Sequence, residues 1–119
     1  MRLVMVAGVL ATLLARPGPA LAHAFLDHAD PRVGSTVSSP PAVLTLAFTE
    51  PIEAAFSRVE VTDAAGKRIE TGALEHPAPA TIAVSLPGLG PGSYTVTWAV
   101  VSVDTHPTDG HFTFSVKGP

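Results

Sequence analysis

The chain has 119 residues, with 7 Lys and Arg against 10 Asp and Glu, and it contains no Cys. That length allows a single domain, and the absence of Cys excludes a disulfide framework and any thiolate metal site. The formal net charge of −3 argues against a nucleic-acid partner, because binding to phosphates requires a basic patch.

Residues 1–22 have the pattern of a secretory signal peptide. Arg2 provides a positive start, an apolar run from Leu3 to Ala15 follows, and Ala20-Leu21-Ala22 is a cleavage motif. The apolar run is too short to cross a bilayer of roughly 30 Å as a helix. An uncleaved N-terminal anchor is the alternative interpretation. We expect an exported protein, either periplasmic or secreted.

Cleavage after Ala22 would change the chemistry of the chain. It leaves a domain of residues 23–119, in which His23 is the first residue and carries a free α-amine. It also removes Met1 and Met5, the two methionines of the sequence. The mature chain would then have no sulfur ligand of any kind, since Cys is absent as well.

Pro and Gly interrupt the rest of the chain at short intervals, and apolar and polar residues alternate between them. A period of two predicts half-buried strands, and no segment has a helical period. The predicted strands lie at 24–28, 44–48, 56–61, 67–70, 82–86, 94–100 and 112–116. Residues 75–80, with two prolines, are predicted to form an irregular loop. About seven short strands predict an all-β, antiparallel sandwich of Ig-like type, with Trp98 in its core.

The first histidine of the mature chain has a chemistry that the other histidines lack. An N-terminal His23 offers the α-amine and the ring Nδ1, which together can chelate one metal ion. The amine has a pKa of about 7.7–8.0 and the ring of about 6.5, so that both can be deprotonated near neutral pH. The five histidines of the sequence are His23, His28, His76, His106 and His111.

A second group of polar residues lies between Ser102 and Gly110. Asp104 and His106 are two residues apart, a spacing that places both side chains on the same face of an extended segment. Pro107 favours an extended conformation at His106. The alternative is an ordinary polar hairpin loop that binds no metal.

Four features of the chain carry a resemblance to a known family. They are His23 directly after an Ala-x-Ala site, Phe48-Thr49-Glu50-Pro51, Gly92-Ser93-Tyr94-Thr95-Val96-Thr97-Trp98, and Ser102-Val103-Asp104-Thr105-His106-Pro107 followed by Gly110. Over essentially the whole mature chain, the sequence resembles the CopC family of periplasmic copper-resistance proteins. The resemblance implies a Greek-key β-sandwich or barrel that binds one Cu(II) ion per chain.

The resemblance also implies which residues hold the metal. His23 would bind through its amine and ring, His106 through its ring, and Asp104 through its carboxylate. Glu50 matches an acidic position near the copper in some members of the family.

Three further histidines carry lesser expectations. His111 follows the turn on the outward face of the last strand, and it is a candidate for orienting Asp104 or His106. His28 and His76 are expected to be exposed.

The donor set agrees with copper. Nitrogen ligands with one oxygen in a tetragonal arrangement suit Cu(II), which also leads the Irving–Williams order. Zn could occupy the same ligands, but it prefers a tetrahedral arrangement, so copper is an expectation. Some members of the family carry a second, Met-rich site for Cu(I), because thioethers select that ion. The mature chain has no Met, so the sequence indicates a single-site member that binds Cu(II) only.

We therefore expect a monomeric copper carrier without enzymatic activity. It would hold Cu(II) for copper homeostasis, resistance or delivery to a separate membrane copper transporter of the CopD type. A copper monooxygenase with an N-terminal His is one alternative, although such enzymes are generally larger and present flat aromatic surfaces. An Ig-like structural module with incidental histidines is the other.

Overall fold

The computed structural model describes residues 23–118, which form nine strands. The predicted signal peptide, residues 1–22, lies outside the described residues. The strands are β1 (Leu26–Asp30), β2 (Thr36–Val37), β3 (Val43–Phe48), β4 (Arg58–Asp63), β5 (Arg68–Ile69), β6 (Glu75–Ala78), β7 (Thr81–Ser85), β8 (Gly92–Val101) and β9 (Pro107–Val116). A short 3-10 turn, Ala54–Phe56, precedes β4. No helix within residues 23–118 is long and apolar enough to cross a membrane.

The strands form two sheets. One has the order β1-β3-β7-β6, and the other has the order β2-β9-β8-β4-β5. Neighbouring strands are antiparallel, except that β2 runs parallel to β9. The predicted all-β sandwich of Ig-like type is confirmed, with nine strands among the described residues in place of about seven.

The additional strands are β2 and β6. Since β2 has only two residues, it is too short to show a period of two. The prediction of an irregular loop at residues 75–80 was wrong, because β6 occupies the first part of this segment. All four residues of β6 are exposed, so the strand has no inward-facing apolar residue. It forms the edge of its sheet, where a strand tolerates a proline such as Pro77.

The long strands β8 and β9 supply much of the core. Their inward-facing side chains alternate along each strand and are buried: Tyr94, Val96, Trp98, Val100, Phe112, Phe114 and Val116. The indole of Trp98 packs edge to face against the ring of Phe48, which belongs to the other sheet, with ring centroids 5.1 Å apart. Trp98 is therefore a core residue, as the alternation predicts.

The hairpin of β8 and β9 defines one end of the sandwich. Val101 pairs with Pro107, so that residues 102–106 form the connecting loop. An isolated bridge between Ile52 and Ser102 ties the segment after β3 to this loop. Residues 23–25 reach the same end, where the backbone of Phe25 accepts a hydrogen bond from Thr49 just after β3.

Candidate metal centre

The rings of His23 and His106 lie next to each other. Their centroids are 5.2 Å apart and the rings are arranged edge to face. The ring of Phe25 lies on another side of His23, with centroids 5.9 Å apart. The fold thus brings together the two histidines that the sequence analysis singled out, although they come from distant parts of the chain.

Two threonines hold the N-terminal residues in place. Thr49 donates its backbone N–H to the carbonyl of Phe25 at 2.8 Å, and its Oγ1 accepts the N–H of Phe25 at 3.0 Å. The same hydroxyl lies 3.3 Å from the carbonyl oxygen of His23, to which it donates. From the other sheet, the hydroxyl of Thr108 donates to the carbonyl of Ala24 at 2.7 Å. Ala24 is fully buried between them, so the backbone next to His23 is fixed from both sheets.

The loop between β8 and β9 is a turn. The prediction of an extended segment from Asp104 onward was wrong at Asp104 and Thr105, because Val103 and Asp104 form a turn and Thr105 has a φ of +71°. Among residues 23–118, Thr105 is the one residue other than glycine with a positive φ. Its N–H donates to the carbonyl of Ser102 at 2.8 Å, which closes the turn.

The turn still brings the side chains of Asp104 and His106 together. His106 Nδ1 lies 3.4 Å from Asp104 Oδ1, without the geometry of a hydrogen bond. Among the described residues, this Nδ1 is the one buried side-chain nitrogen or oxygen without a hydrogen-bond partner. Buried polar atoms are nearly always paired, so the exception marks His106 Nδ1 as a candidate donor atom for a metal ion.

The carboxylate of Asp104 is stabilised in its charged form. The hydroxyl of Ser102 donates a hydrogen bond to Asp104 Oδ1. This bond is the main reason that the pKa of Asp104 lies below its ordinary value of 3.8, and the neighbouring His106 lowers it further. A charged oxygen beside an unpaired ring nitrogen is a suitable pair of ligands for a metal cation.

Ser102 is the residue of this end that sequence reasoning missed. It stands inside the motif that carries the family resemblance, but nothing in its type or spacing marks it. In the structure it is 1% exposed, and its Oγ also accepts the N–H of His106 at 3.1 Å. A single buried hydroxyl therefore contacts both residues of the Asp104–His106 pair.

Of the two further candidate residues, Glu50 lies at the same end of the sandwich as the His23, Asp104 and His106 cluster, whereas His111 does not. Glu50 is half-buried and directly follows Thr49, and the next residue, Pro51, accepts a hydrogen bond from the N–H of Val103 at 3.1 Å. Glu50 is therefore at the same end of the sandwich. His111 is exposed on β9, where it pairs with Thr97. At about 3.3 Å per residue, it lies roughly 16 Å along the strand from His106, so the fold does not bring it to the cluster.

His28 and His76 are exposed, as expected. His28 Nδ1 lies 2.7 Å from Asp27 Oδ2, and His76 Nε2 lies 3.1 Å from the carbonyl oxygen of Pro79. Both histidines thus have local partners of their own.

Within residues 23–118, no group of three or more His, Asp or Glu side chains has the arrangement of a ready metal site. The described cluster holds two imidazoles and one carboxylate. In the uncleaved chain, the nitrogen of His23 belongs to a peptide bond with Ala22. The fourth expected donor, the α-amine, exists only once that bond is cut.

The fold and this cluster define a small Ig-like β-sandwich protein with imidazole and carboxylate groups gathered at one end. Residues 26–117 match the family described as "CopC domain". The chain belongs to the CopC family, as its sequence motifs predict.

Three similar proteins illustrate the family. Protein YobA of Escherichia coli (strain K12) is 40% identical over 112 residues, which cover 92% of this chain and 90% of YobA. The copper transport protein CutJ of Bacillus subtilis (strain 168) is 30% identical over 106 residues, covering 84% of this chain but 19% of CutJ. The crystal structure of PcoC, a methionine-rich copper resistance protein from Escherichia coli, aligns with a TM-score of 0.75 and 28% identity, covering 81% of this chain and 100% of PcoC.

Proposed function

We propose that the mature protein begins at His23 and binds one Cu(II) ion in the periplasm or outside the cell. The ligands are the α-amine and ring of His23, the ring of His106 and the carboxylate of Asp104. Glu50 is a further acidic group at the same end. The protein serves as a copper carrier in copper resistance or homeostasis.

The observation that carries this proposal is the unpaired Nδ1 of His106. It is buried, it lies 3.4 Å from a charged carboxylate oxygen, and the ring of His23 stands next to it. A nitrogen and an oxygen this close, without a hydrogen bond between them, can share one metal ion. We therefore assign Nδ1 as the donor atom of His106.

The donor types support Cu(II) as the ion. Amine and imidazole nitrogens with one carboxylate oxygen suit its tetragonal geometry. The Met-rich relative PcoC contrasts with this chain, which has no Met after Met5. Because soft thioethers select Cu(I), we propose that this chain is a single-site protein for Cu(II) only.

Delivery to a separate transporter fits the match with CutJ. The matching region makes up 19% of that copper transport protein, so a domain of this type occurs there as part of a larger chain. We propose that this protein, as a monomer, exchanges copper with a membrane transporter encoded as its own chain. We propose no enzymatic step, because Asp104 would fill a coordination position that an oxygen-activating copper site keeps open.

Titration with Cu(II) tests the proposal most directly. Protein that begins at His23 is expected to bind one equivalent tightly, with an EPR spectrum showing several nitrogen ligands. A version with one extra residue before His23 lacks the free amine next to the ring, and its affinity is expected to fall strongly. Equal affinities of the two versions would rule out the proposed centre.

A further inference from the structure

Ser102 is the one fully buried polar residue among residues 23–118, with 1% of its surface exposed. Burial of a hydroxyl is unfavourable unless its hydrogen bonds are made. This hydroxyl has partners on both sides, because it donates to Asp104 Oδ1 and accepts the N–H of His106 at 3.1 Å. Its location therefore has a specific effect, which is to restrain these two residues.

The backbone of Ser102 reinforces the same arrangement. Its N–H donates to the carbonyl of His106 at 3.0 Å, and its carbonyl accepts the N–H of Thr105 at 2.8 Å. Ser102 is itself anchored by its bridge to Ile52, which is 2% exposed. Ser102 thus connects the turn at residues 103–105 to the core.

The turn needs this support because of Thr105. A β-branched residue with a φ of +71° is a conformational outlier, and such a backbone persists only where the surroundings hold it. The Asp104 side chain is 45% exposed. The Ser102 hydroxyl bonds to the same Oδ1 that lies 3.4 Å from His106 Nδ1, which favours this orientation of the carboxylate over one toward solvent.

We infer that Ser102 is a positioning residue, whose buried hydroxyl holds the Asp104 carboxylate and the His106 backbone in the geometry that the metal ion requires. The inference rests on the proposed function. Ser102 contacts no metal itself. It acts through the two ligands, as hydrogen-bonding partners of metal ligands commonly do.

Substitution of Ser102→Ala, compared with Ser57→Ala, tests this role. Ser57 is a matched control because its hydroxyl also bridges two segments at this end of the sandwich. It donates to the Glu53 carbonyl at 2.7 Å and accepts the Val101 N–H at 3.3 Å, and neither bond involves Asp104 or His106. In protein beginning at His23, Ser102→Ala is expected to weaken Cu(II) binding by about 10- to 100-fold and to alter the EPR spectrum at saturation. Ser57→Ala is expected to leave both unchanged.

Two further variants separate positioning from general loss of structure. Ser102→Thr keeps the hydroxyl and is expected to restore most of the affinity and the wild-type EPR spectrum. In a background that carries both Asp104→Ala and His106→Ala, Ser102→Ala is expected to cause no additional loss of affinity. A folded Ser102→Ala protein with wild-type affinity and spectrum would overturn the inference, as would an equal loss in the double-mutant background.

Amide exchange of the copper-free protein gives a readout that does not depend on metal. The His106 N–H has the Ser102 hydroxyl as its acceptor, so its protection is expected to be lost in Ser102→Ala and kept in Ser57→Ala. Unchanged protection in Ser102→Ala would contradict the role of the hydroxyl in organising the loop. Failure of the wild-type protein to bind Cu(II) would instead overturn the proposed function, even with the expected exchange pattern.

Discussion

The rings of His23 and His106 meet with centroids 5.2 Å apart, and they belong to segments that continue into different sheets. His23 leads into β1 of the four-stranded sheet, and His106 leads into β9 of the five-stranded sheet. An ion held by both rings would therefore link the two sheets at one end of the sandwich. Metal binding and folding stability should be coupled through this pair.

Copper is expected to raise the thermal stability of protein that begins at His23. A ligand that binds only the folded state stabilises it by about 2.7 kcal/mol at a free concentration one hundred times its dissociation constant. Thermal unfolding followed by circular dichroism, with and without one equivalent of Cu(II), measures the effect. The version with one extra residue before His23 serves as the control and should gain much less. A similar gain in both versions would show that copper binds elsewhere.

His106→Ala is expected to weaken Cu(II) binding more than the substitution of any other histidine after His23. It removes a proposed direct donor, and even loss of a residue that merely orients a ligand typically costs about 10- to 100-fold in affinity. Isothermal titration of Cu(II) into the variant provides the measurement. His76→Ala is the matched control, since His76 is exposed and its ring already has the Pro79 carbonyl as a partner. If both substitutions lowered affinity equally, His106 would not be a specific ligand.

The long strands were predictable because their inward-facing residues alternate without interruption. Val96 and Trp98 on β8, and Phe112 and Phe114 on β9, are all buried, and a period of two is the direct signature of such a strand. The edge strand β6 carries no such signal, since all its residues face solvent. A strand of that kind is defined by its pairing with β7, which a pattern of hydrophobicity does not record.

At the candidate site, the structure brings together the two side chains that the sequence singled out, but on a backbone that differs from the predicted one. Asp104 and His106 were expected on one face of an extended segment, whereas the turn at Thr105 brings them together. The position of Thr105 in the left-handed region could not be expected, because a β-branched residue is among the least suited to it. Ser102 was missed for a related reason, since its role depends on a turn that the sequence did not predict.

Removal of the Thr108 hydroxyl is expected to loosen the N-terminal residues. Thr108→Val keeps the shape of the side chain but deletes its hydrogen bond to the carbonyl of Ala24. We expect a loss of about 0.5–1.5 kcal/mol in the free energy of unfolding, together with weaker Cu(II) binding, because His23 is held less firmly beside His106. Urea unfolding and copper titration measure the two effects. Thr113→Val, on an exposed position of the same strand, is the control and should affect neither.

The lowered pKa of Asp104 predicts an acid-dependent part of the stability of the copper-free protein. The pKa in the folded state lies below the ordinary value of 3.8, chiefly because Ser102 donates to the carboxylate. The resulting stabilisation is present above pH 3.8 and is lost as the pH falls through the lower folded-state pKa. Asp104→Asn has no carboxylate to stabilise in this way. The difference in free energy of unfolding between wild type and this variant should therefore shrink below pH 3.8.

Urea unfolding of wild type and Asp104→Asn over a series of acidic pH values provides this measurement. Asp109→Asn, at an exposed position of β9, is the matched control for the loss of one carboxylate. If the free energy of unfolding of Asp104→Asn stayed below that of wild type by the same amount across the series, the Asp104 carboxylate would have the same pKa in the folded and unfolded states.

Gly110→Ala is expected to destabilise the fold by crowding Trp98. The two residues pair across β8 and β9, and a Cβ at Gly110 would lie 2.6 Å from Cζ2 of the indole. Trp98 is 6% exposed and packs against Phe48, so the ring has little room to shift. Overpacking of this kind typically costs about 1–3 kcal/mol, which equilibrium unfolding in urea measures through Trp98 fluorescence.

Gly88→Ala is the matched control for this substitution, because no heavy atom beyond its chain neighbours lies within 4 Å of a Cβ built at Gly88. It should leave the free energy of unfolding unchanged within about 0.5 kcal/mol. Since β9 starts at Pro107, directly after His106, a shift of the strand at Gly110 should also weaken Cu(II) binding. Equal stability of Gly110→Ala and Gly88→Ala would mean that the indole of Trp98 has an alternative position. The close approach of Gly110 to Trp98 would then have no role in fixing the hairpin that carries Asp104 and His106.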